Sequence, residues 1–533
     1  MQVEKIKEVF DVIVVGAGWS GLLSAKYCIG ENLQTLVIEG REKIGGVWAY
    51  TDDCQYGGVM KTTETTSSKC ITEISDFPMP DNYPDFPSHS QIYSYLESYA
   101  SHFSVIDNII FSQKVTSIIK ENDYWQVTTS GGQNYWAKNV IVSSGVHQHP
   151  NDVSDNLRFR NYDGKLIHSA GIKEVSTNFS DKKVLVWGGG ESASDISFEL
   201  SKVASKVYFC IPNGQWFVPK FVDRWYPFPS SQRKIVDHHS SRLRLLLSPT
   251  HRYSPFVSQF LRISLGFNGH GQKEWRTTAP YNRSFFNKSA NVLSAVNSGS
   301  VKAKRDVSYC NGRVVHFTDN TSATFDYIIT CSGYKASFPF LKASKVTSNV
   351  NQQELFKYIF YNQDPTLAFV GFVRPIFGSI PGISELQSRY VSKVISAKCK
   401  LPTFNRRSEI ISKDMKFWNH HFRYTSLRLT GLVDHFMYTN QLAKLIGCYP
   451  NFKKLLISNP GRWWQAITAP WNGCQFWLND EQQHSRIFKT LKQYDDNRLT
   501  QIYIYLVLSP ILPFISLFSY LRIMIKESTI FRK

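Results

Sequence analysis

The sequence has no paired cysteines. Its nine cysteines (Cys28, Cys54, Cys70, Cys210, Cys310, Cys331, Cys399, Cys448 and Cys474) are odd in number and scattered, and no two are spaced Cys-x-x-Cys. That argues against a disulfide framework or a zinc site and for a reducing compartment. The first residues, MQVEKIKEVF, carry charge and lack the apolar stretch of a secretory signal. Acid is also scarce: 42 Asp+Glu stand against 61 Lys+Arg, a formal net charge of +19. Such an excess asks for an anionic partner, whether nucleic acid, a phosphate-bearing cofactor or a membrane surface. What the chain does have is apolar bulk: 533 residues, 42% hydrophobic, 14% aromatic and 19% charged. This composition excludes disorder, collagen, coiled coil and small secreted scaffolds. At about 150 residues per domain, the length corresponds to two to four domains or two large ones.

Residues 501–521 (QIYIYLVLSPILPFISLFSYL) contain no charge, and Arg522, Lys526, Arg532 and Lys533 follow with one acid, Glu527. About 20 mainly apolar residues suffice to cross a bilayer. Pro510 and Pro513 would kink a helix there. The terminal position and basic flank favour membrane insertion or interfacial anchoring; the other reading is a buried or swapped C-terminal helix.

Two stretches share one pattern. Residues 11–39 predict a buried strand (DVIVV), a glycine turn (GAGWSG, 16–21), a helix over 22–29 and a second strand over 33–39. Residues 184–211 repeat it, with VLVW, the turn GGGESA at 188–193, a helix over 196–203 and a strand over 206–211. Each unit is followed by alternating strands and an apolar run that ends in glycine, at Gly145 and at Gly333. The duplication predicts two nucleotide-binding α/β units in one chain. After residue 334 the chain reads as helical and returns to the core, and from about 450 it is tryptophan-rich and less patterned.

The turn at 16–21 has the spacing Gly16-x-Gly18-x-x-Gly21, with Glu39 23 residues after Gly16. The glycines permit the tight turn, the close approach of a pyrophosphate and close helix–strand packing, while the acid suits a ribose hydroxyl. The second turn is Gly188-x-Gly190-x-x-Ala193, with Ser192 inside it, and no acid follows at the matching distance, near Ile211. That absence leans toward NADP over NAD. Two dinucleotide sites suggest a flavin and a nicotinamide exchanging hydride. Cys54 and Cys70 lie sixteen residues apart, so a dithiol acceptor is disfavoured and dioxygen becomes the leading one.

Taken together and in order, these pieces resemble the flavin-containing monooxygenases that form N- and S-oxides. The pieces are GAGWSG with Glu39; Gly45-Gly46-Val47-Trp48; Asp76-Phe77-Pro78; YPDFPSHSQIYSYLESYASHF at 83–103; SGVHQHP at 144–150; GGGESASDI at 188–196; CSGYKASFPFL at 331–341; GSIPGISELQSRY at 378–390; and VDHFMYTNQLAKLIGCYPN at 433–451. The resemblance implies an α/β fold of two Rossmann-like dinucleotide-binding domains, for FAD and NADP, with β-meander insertions and a C-terminal hydrophobic helix. It divides the chain into a first part of the FAD domain (1–160), an NADP domain (161–330, with a basic aromatic insertion at 213–300), a second part of the FAD domain (331–455), a tail (456–500) and an anchor (501–521).

The chemistry implied is reduction of FAD by NADPH, reaction of the flavin with O2 to a C4a-hydroperoxide, and transfer of one oxygen to a soft small-molecule nucleophile. The place implied is the endoplasmic reticulum membrane, with the catalytic body in the cytosol. Three positions depart from the family pattern. Thr66, in Thr65-Thr66-Ser67-Ser68-Lys69, stands at the family's active-site Asn. Pro212-Asn213 stand at its 2′-phosphate arginines, where Lys220 or Arg224 could substitute. Tyr162 and Ile172 flank Gly164 and His168 where its fingerprint has a Phe and a Tyr or Phe. An NAD(P)H oxidase releasing H2O2, a Baeyer–Villiger-type enzyme and a catalytically degenerate membrane flavoprotein therefore remain open.

Gly46 falls in the resembling loop, and Trp48 resembles a flavin-side aromatic or is ordinary core. Gln387 resembles a glutamine bonded to the flavin ring or is a polar residue on a helix surface. His147 and His149 have no carboxylate or cysteine set suited to a metal. His168 suits an ordering role between domains. Residues 233–276 hold eight Lys/Arg against Asp237 and Glu274, interleaved with Leu, Ile and Phe. That pattern suits a membrane surface or a solvated face, and no nucleic-acid fold signature is present.

Overall fold

The computed structural model describes residues 8–54, 56–222, 234–243, 270–279, 284–341, 354–423 and 431–494. The apolar segment 501–521 and most of the basic stretch 233–276 lie outside the described residues. Among the described residues, no helix is long and apolar enough to cross a membrane.

The first glycine turn joins β1 (Val9–Val15) to α1 (Trp19–Gly30), and β2 (Thr35–Ile38) follows. Val12, Ile13 and Val14 are fully buried, each stabilising the fold by about 1.5–3 kcal/mol. Next come α2 (His89–His102), β3 (Ile109–Ile110), β4 (Val115–Glu121), β5 (Tyr124–Thr129) and β6 (Asn134–Val142). Helix α2 opens on a capping box in which Ser88 and Gln91 satisfy each other's backbone N–H.

The second unit contains β7 (Lys165–His168), β8 (Lys183–Trp187), α3 (Glu191–Leu200), β9 (Lys206–Cys210) and β10 (Val301–Lys304). Strands β11 (Val307–Asn311), β12 (Val314–Phe317), β13 (Ser322–Thr324) and β14 (Tyr327–Thr330) complete it. Helix α3 starts five residues before the predicted 196, because it opens at the Gly190 cap rather than at its first apolar residue.

After residue 334 the chain is not immediately helical. Three short strands come first, β15 (Leu355–Phe356), β16 (Phe360–Tyr361) and β17 (Leu367–Phe369). At two or three residues each they are too short to show an alternating pattern. Helices α4 (Ile380–Ile395), α5 (Phe404–His421) and α6 (His435–Ile446) follow. Beyond 450, where the sequence looked less patterned, lie α7 (Phe452–Ser458), α8 (Pro460–Thr468) and α9 (His484–Gln493).

One nine-stranded sheet runs β15-β16-β17-β6-β1-β2-β3, with the β4–β5 hairpin joined through β5 to β6. The returning strand β17 pairs parallel with β6, Leu367 opposite Val140. The other large sheet, β10-β9-β8-β14-β7, is parallel throughout. Its meander, β11-β12-β13, forms a separate antiparallel sheet, whereas the first unit's hairpin joins the main one. In both large sheets the glycine turn lies at the carboxyl end of a central strand, where open α/β sheets place their ligands.

Candidate functional site

Gly16 has φ +101°, and a Cβ there would stand 2.8 Å from the carbonyl oxygen of Ser143 on the neighbouring strand end. Gly21, on the first turn of α1, lies so close to the Gly16 carbonyl that a side chain would overlap it. Gly18 has space instead, and it faces Gly46. Gly46 itself has φ +56°, so a left-handed glycine at the predicted Gly45-Gly46 loop lets that loop sit directly over the turn. The Gly45 N–H donates to Ala17 O at 2.9 Å and closes the pair of loops. Helix α1 has neither a side-chain cap nor an acid in its first turn, so its leading N–H groups are open to an anion.

Glu39 ends β2 and is buried. Its carboxylate accepts from Ala17 N at 2.6 Å and from Arg41 N at 2.9 Å. Burial pushes its pKa up, opposed by those two N–H donors. Arg41, which the motif reading passed over, donates through its guanidinium to Gly46 O at 2.9 Å and Ala49 O at 2.8 Å. A base two residues after the motif acid was its only signal. Glu39 and Arg41 thus tie the two loops together, and Trp48 is half-buried at the end of the short turn Gly46–Trp48. Open N–H groups, a close Gly18–Gly46 approach free of side chains and a carboxylate at the strand end fit a dinucleotide such as FAD.

The second turn repeats the logic with other bracing. Gly188 has φ +139° and lies against Cys331 O, while Gly190 has open space around it. Ala193 is buried, and Ser192 is exposed on the first turn of α3. The Gly189 carbonyl accepts from Gln215 Nε2 at 2.9 Å and Asn287 Nδ2 at 3.2 Å, two more residues with no motif to announce them. Of the proposed 2′-phosphate substitutes, Lys220 is paired with Glu64 at 3.0 Å, and Arg224 lies outside the described residues. Two other arginines stand at that strand end. The turn at Gly214 packs on the Trp275–Arg276 backbone, and Arg305 donates to Arg276 O at 2.7 Å.

Thr66 is half-buried on a turn held at both ends. Thr65 N donates to Pro87 O at 2.9 Å and Ser68 N to Asp237 Oδ2 at 2.7 Å. Among the described residues, the buried hydroxyls of Thr65 and Ser68 have no partner. Unsatisfied hydroxyls on one braced turn suit a site awaiting a polar ligand.

Gly333 and His168 sit where the units join. His168 Nδ1 accepts from Ala170 N at 3.0 Å, which leaves the proton on Nε2 to donate to Gly333 O at 3.2 Å. Burial lowers the pKa of His168 and favours this neutral form. Gln387 is fully buried, not on a helix surface. It accepts from Gly371 N at 3.0 Å and donates to Tyr438 OH at 2.9 Å. Gly371 in turn lies against Ser20 of the first turn, so Gln387 braces the loop beside that turn. The predicted residues therefore gather at two glycine turns, with Gly333 at the junction, Gln387 one layer behind and Thr66 on a third, separately braced turn.

The family described as flavin-binding monooxygenase-like matches residues 10–503. Flavin-containing monooxygenase 2 of Homo sapiens is 32% identical over 486 residues, 88% of each chain. Flavin-containing monooxygenase 3 of Homo sapiens is 30% identical over 486 residues, again 88% of each. Among solved structures, S-allyl-L-cysteine S-oxygenase from Allium sativum superposes with a TM-score of 0.60 at 20% identity, covering 91% of this chain and 99% of that one. Cyclohexanone monooxygenase from Rhodococcus sp. Phi1 bound to NADP+ gives a TM-score of 0.60 at 15% identity, covering 83% and 98%.

Proposed function

Because the chain belongs to the flavin-binding monooxygenase-like family, we propose that it oxygenates nitrogen or sulfur centres of small molecules, with FAD on the first glycine turn and NADPH on the second. The observation that carries this reading is the pairing of Gly18 with Gly46 in front of an uncapped helix N-terminus. FAD held by the first turn would supply the redox chemistry, coupling oxidation of NADPH to reduction of O2 so that one oxygen atom would go to the substrate and the other to water.

The chain's own residues do the positioning. The N–H groups opening α1 hold the flavin's pyrophosphate, and Glu39 and Arg41 fix the loops around it. Helix α3 serves the second pyrophosphate in the same way, and Arg276 and Arg305 supply positive charge where the 2′-phosphate of NADPH belongs. Thr66 and its neighbouring hydroxyls face the reacting end, where one hydroxyl can donate one hydrogen bond. Residues 501–521 attach the enzyme to a membrane of the endoplasmic reticulum.

The reading is tested by the product balance of the purified yellow protein. Oxygenated product should equal the NADPH consumed with a tertiary amine or thioether. Stoichiometric H2O2 without oxygenated product would instead make it an NAD(P)H oxidase, a reading that the single hydroxyl of Thr66 motivates. A flavin that NADPH fails to bleach would make it a non-catalytic flavoprotein.

A further inference from the structure

Gly378 lies on the loop between β17 and α4, and two buried polar side chains meet there. The Lys288 ammonium approaches Gly378 O at a long 3.4 Å and lies 5.5 Å from the centre of the Phe377 ring. Lys288 is only 8% exposed, and among the described residues no carboxylate is within ion-pair distance of it. An ammonium carries three donors and no acceptor, so most of its bonding capacity is unused. On the other side of Gly378, the His435 ring fills the space a Cβ would need. His435 is 2% exposed, and among the described residues neither Nδ1 nor Nε2 has a hydrogen-bond partner.

The His435 ring stands edge-on to Trp471 at 4.2 Å, and the buried indole Nε1 of Trp471 also lacks a partner among the described residues. Asp434, the acid beside His435, is turned to the helix instead and accepts from Met437 N at 2.9 Å. Burial and the Lys288 charge hold His435 down to a pKa of about 3, so it is neutral and offers one N–H. The same loop carries a second cation, Arg374, whose guanidinium rests 5.2 Å from the Phe285 ring centre.

Buried cations and donors without acceptors are costly unless a ligand supplies the missing charge. We propose that Lys288 and His435, backed by Trp471, form an oxyanion site at the seam between the second dinucleotide turn and the Thr66 turn. The location follows from two connections. Asn287, next to Lys288, binds the second turn at Gly189 O. Ser379, next to Gly378, donates to Ile71 O at 2.7 Å, behind the Thr66 turn. The group taken is an oxyanion: the carboxylate of a soft-nucleophile substrate, or a phosphate of NADPH. The substrate assignment rests on the oxygenase reading above; the oxyanion site itself does not.

The test uses the FAD-loaded full chain and calorimetric binding without turnover. The probes are 3-(methylthio)propionate, its methyl ester (both with NADP+ present) and NADP+ alone. If the substrate carboxylate is the occupant, the acid binds about tenfold more tightly than the ester. Lys288→Met removes that preference and leaves the ester within about twofold, Lys288→Arg restores much of it, and NADP+ affinity is unchanged. If a dinucleotide phosphate is the occupant, Lys288→Met weakens NADP+ about tenfold and no acid preference exists to lose. His435→Phe shifts the same ligand by a smaller factor. Unchanged affinity for all three probes in Lys288→Met overturns the site, and Lys288→Gln repeats the reading should Met fail to retain flavin. Binding that behaves as expected alongside an absence of oxygenated product would sink the oxygenase reading and leave the site standing.

Discussion

On the proposed reading, Thr66 is the residue on which the outcome of the reaction turns. Its hydroxyl supplies a single donor at a turn where the related sequences are expected to place an amide with two. Losing one preorganised donor at a reacting centre costs on the order of 10²-fold in rate where it is fully used. Thr66→Asn should therefore lower the H2O2 released per NADPH by several-fold, measured by coupled peroxidase assay; an unchanged ratio would remove Thr66 from the chemistry. The glycines divide by the same kind of local argument. Gly21→Ala drives a methyl into the Gly16 carbonyl and should abolish both fold and flavin. Gly18→Ala meets nothing nearer than 3.5 Å and should keep native circular dichroism while emptying the protein of yellow cofactor. Arg276 is exposed beside the Gly214 turn, so Arg276→Ala should cut the preference for NADPH over NADH by about tenfold with NADH binding unaltered. Motif spacing made the glycines and Glu39 legible. Arg41, Asn287 and Gln215 were not legible, because each acts by bonding a backbone carbonyl that only the folded turn brings near.

At the scale of elements, the largest departure from the sequence pattern lies beyond residue 450. The prolines, tryptophans and polar residues there break any single helical period, yet the segment is built into the core. Asn472 Nδ2 donates to Cys70 O at 2.8 Å and to Glu73 Oε1 at 2.6 Å, Tyr494 OH donates to Glu73 Oε2 at 3.1 Å, and Trp477 Nε1 donates to Ser75 Oγ at 2.7 Å. Arg389 lies 4.2 Å from the Trp477 ring centre and completes the contact from α4. These bonds attach 452–494 directly behind the Thr66 turn, and none of them has a sequence-local signature. Glu73 makes the attachment sensitive to pH. Burial raises its carboxyl from the ordinary 4.5 to about 7, against the pull of its Asn472, Met79 and Tyr494 donors. A carboxyl whose folded pKa is raised binds its proton more tightly when folded. Its contribution is whole below about 4.5 and is lost as pH climbs through about 7, a change of about 3 kcal/mol at most. The melting temperature attributable to this contact should fall between pH 5 and pH 8, and Glu73→Gln should flatten that slope. A slope that persists in Glu73→Gln would assign the titration to another group.

For the whole molecule, the sequence foretold the duplicated strand–turn–helix units and a return of the chain after residue 334, but not the short strands that make the return. Of the strands of two or three residues at 355–369, β17 pairs with β6 and the other two extend the edge beyond it, so the first sheet ends in residues more than 200 positions away from its start. Neither alternation nor length could announce that pairing. The charge follows a similar logic of distribution. Backbone N–H groups serve dinucleotide phosphates, so two cofactors account for little of the +19. Residues 233–276 and 522–533 together carry nine of those charges, and both stretches are rich in apolar side chains. Basic residues set among apolar ones favour an anionic lipid surface, each worth about 1 kcal/mol near it. A chain ending after residue 494 keeps every contact that binds α9 to Glu73, so it should fold and hold flavin. It should also leave the membrane pellet and appear in the supernatant after ultracentrifugation. If the truncated protein pellets as before and is released only by salt above about 0.5 M, where the Debye length falls to a few ångströms, the basic stretch at 233–276 is sufficient for attachment and 501–521 is not needed. If it pellets and salt has no effect, an apolar surface of the catalytic body holds it instead.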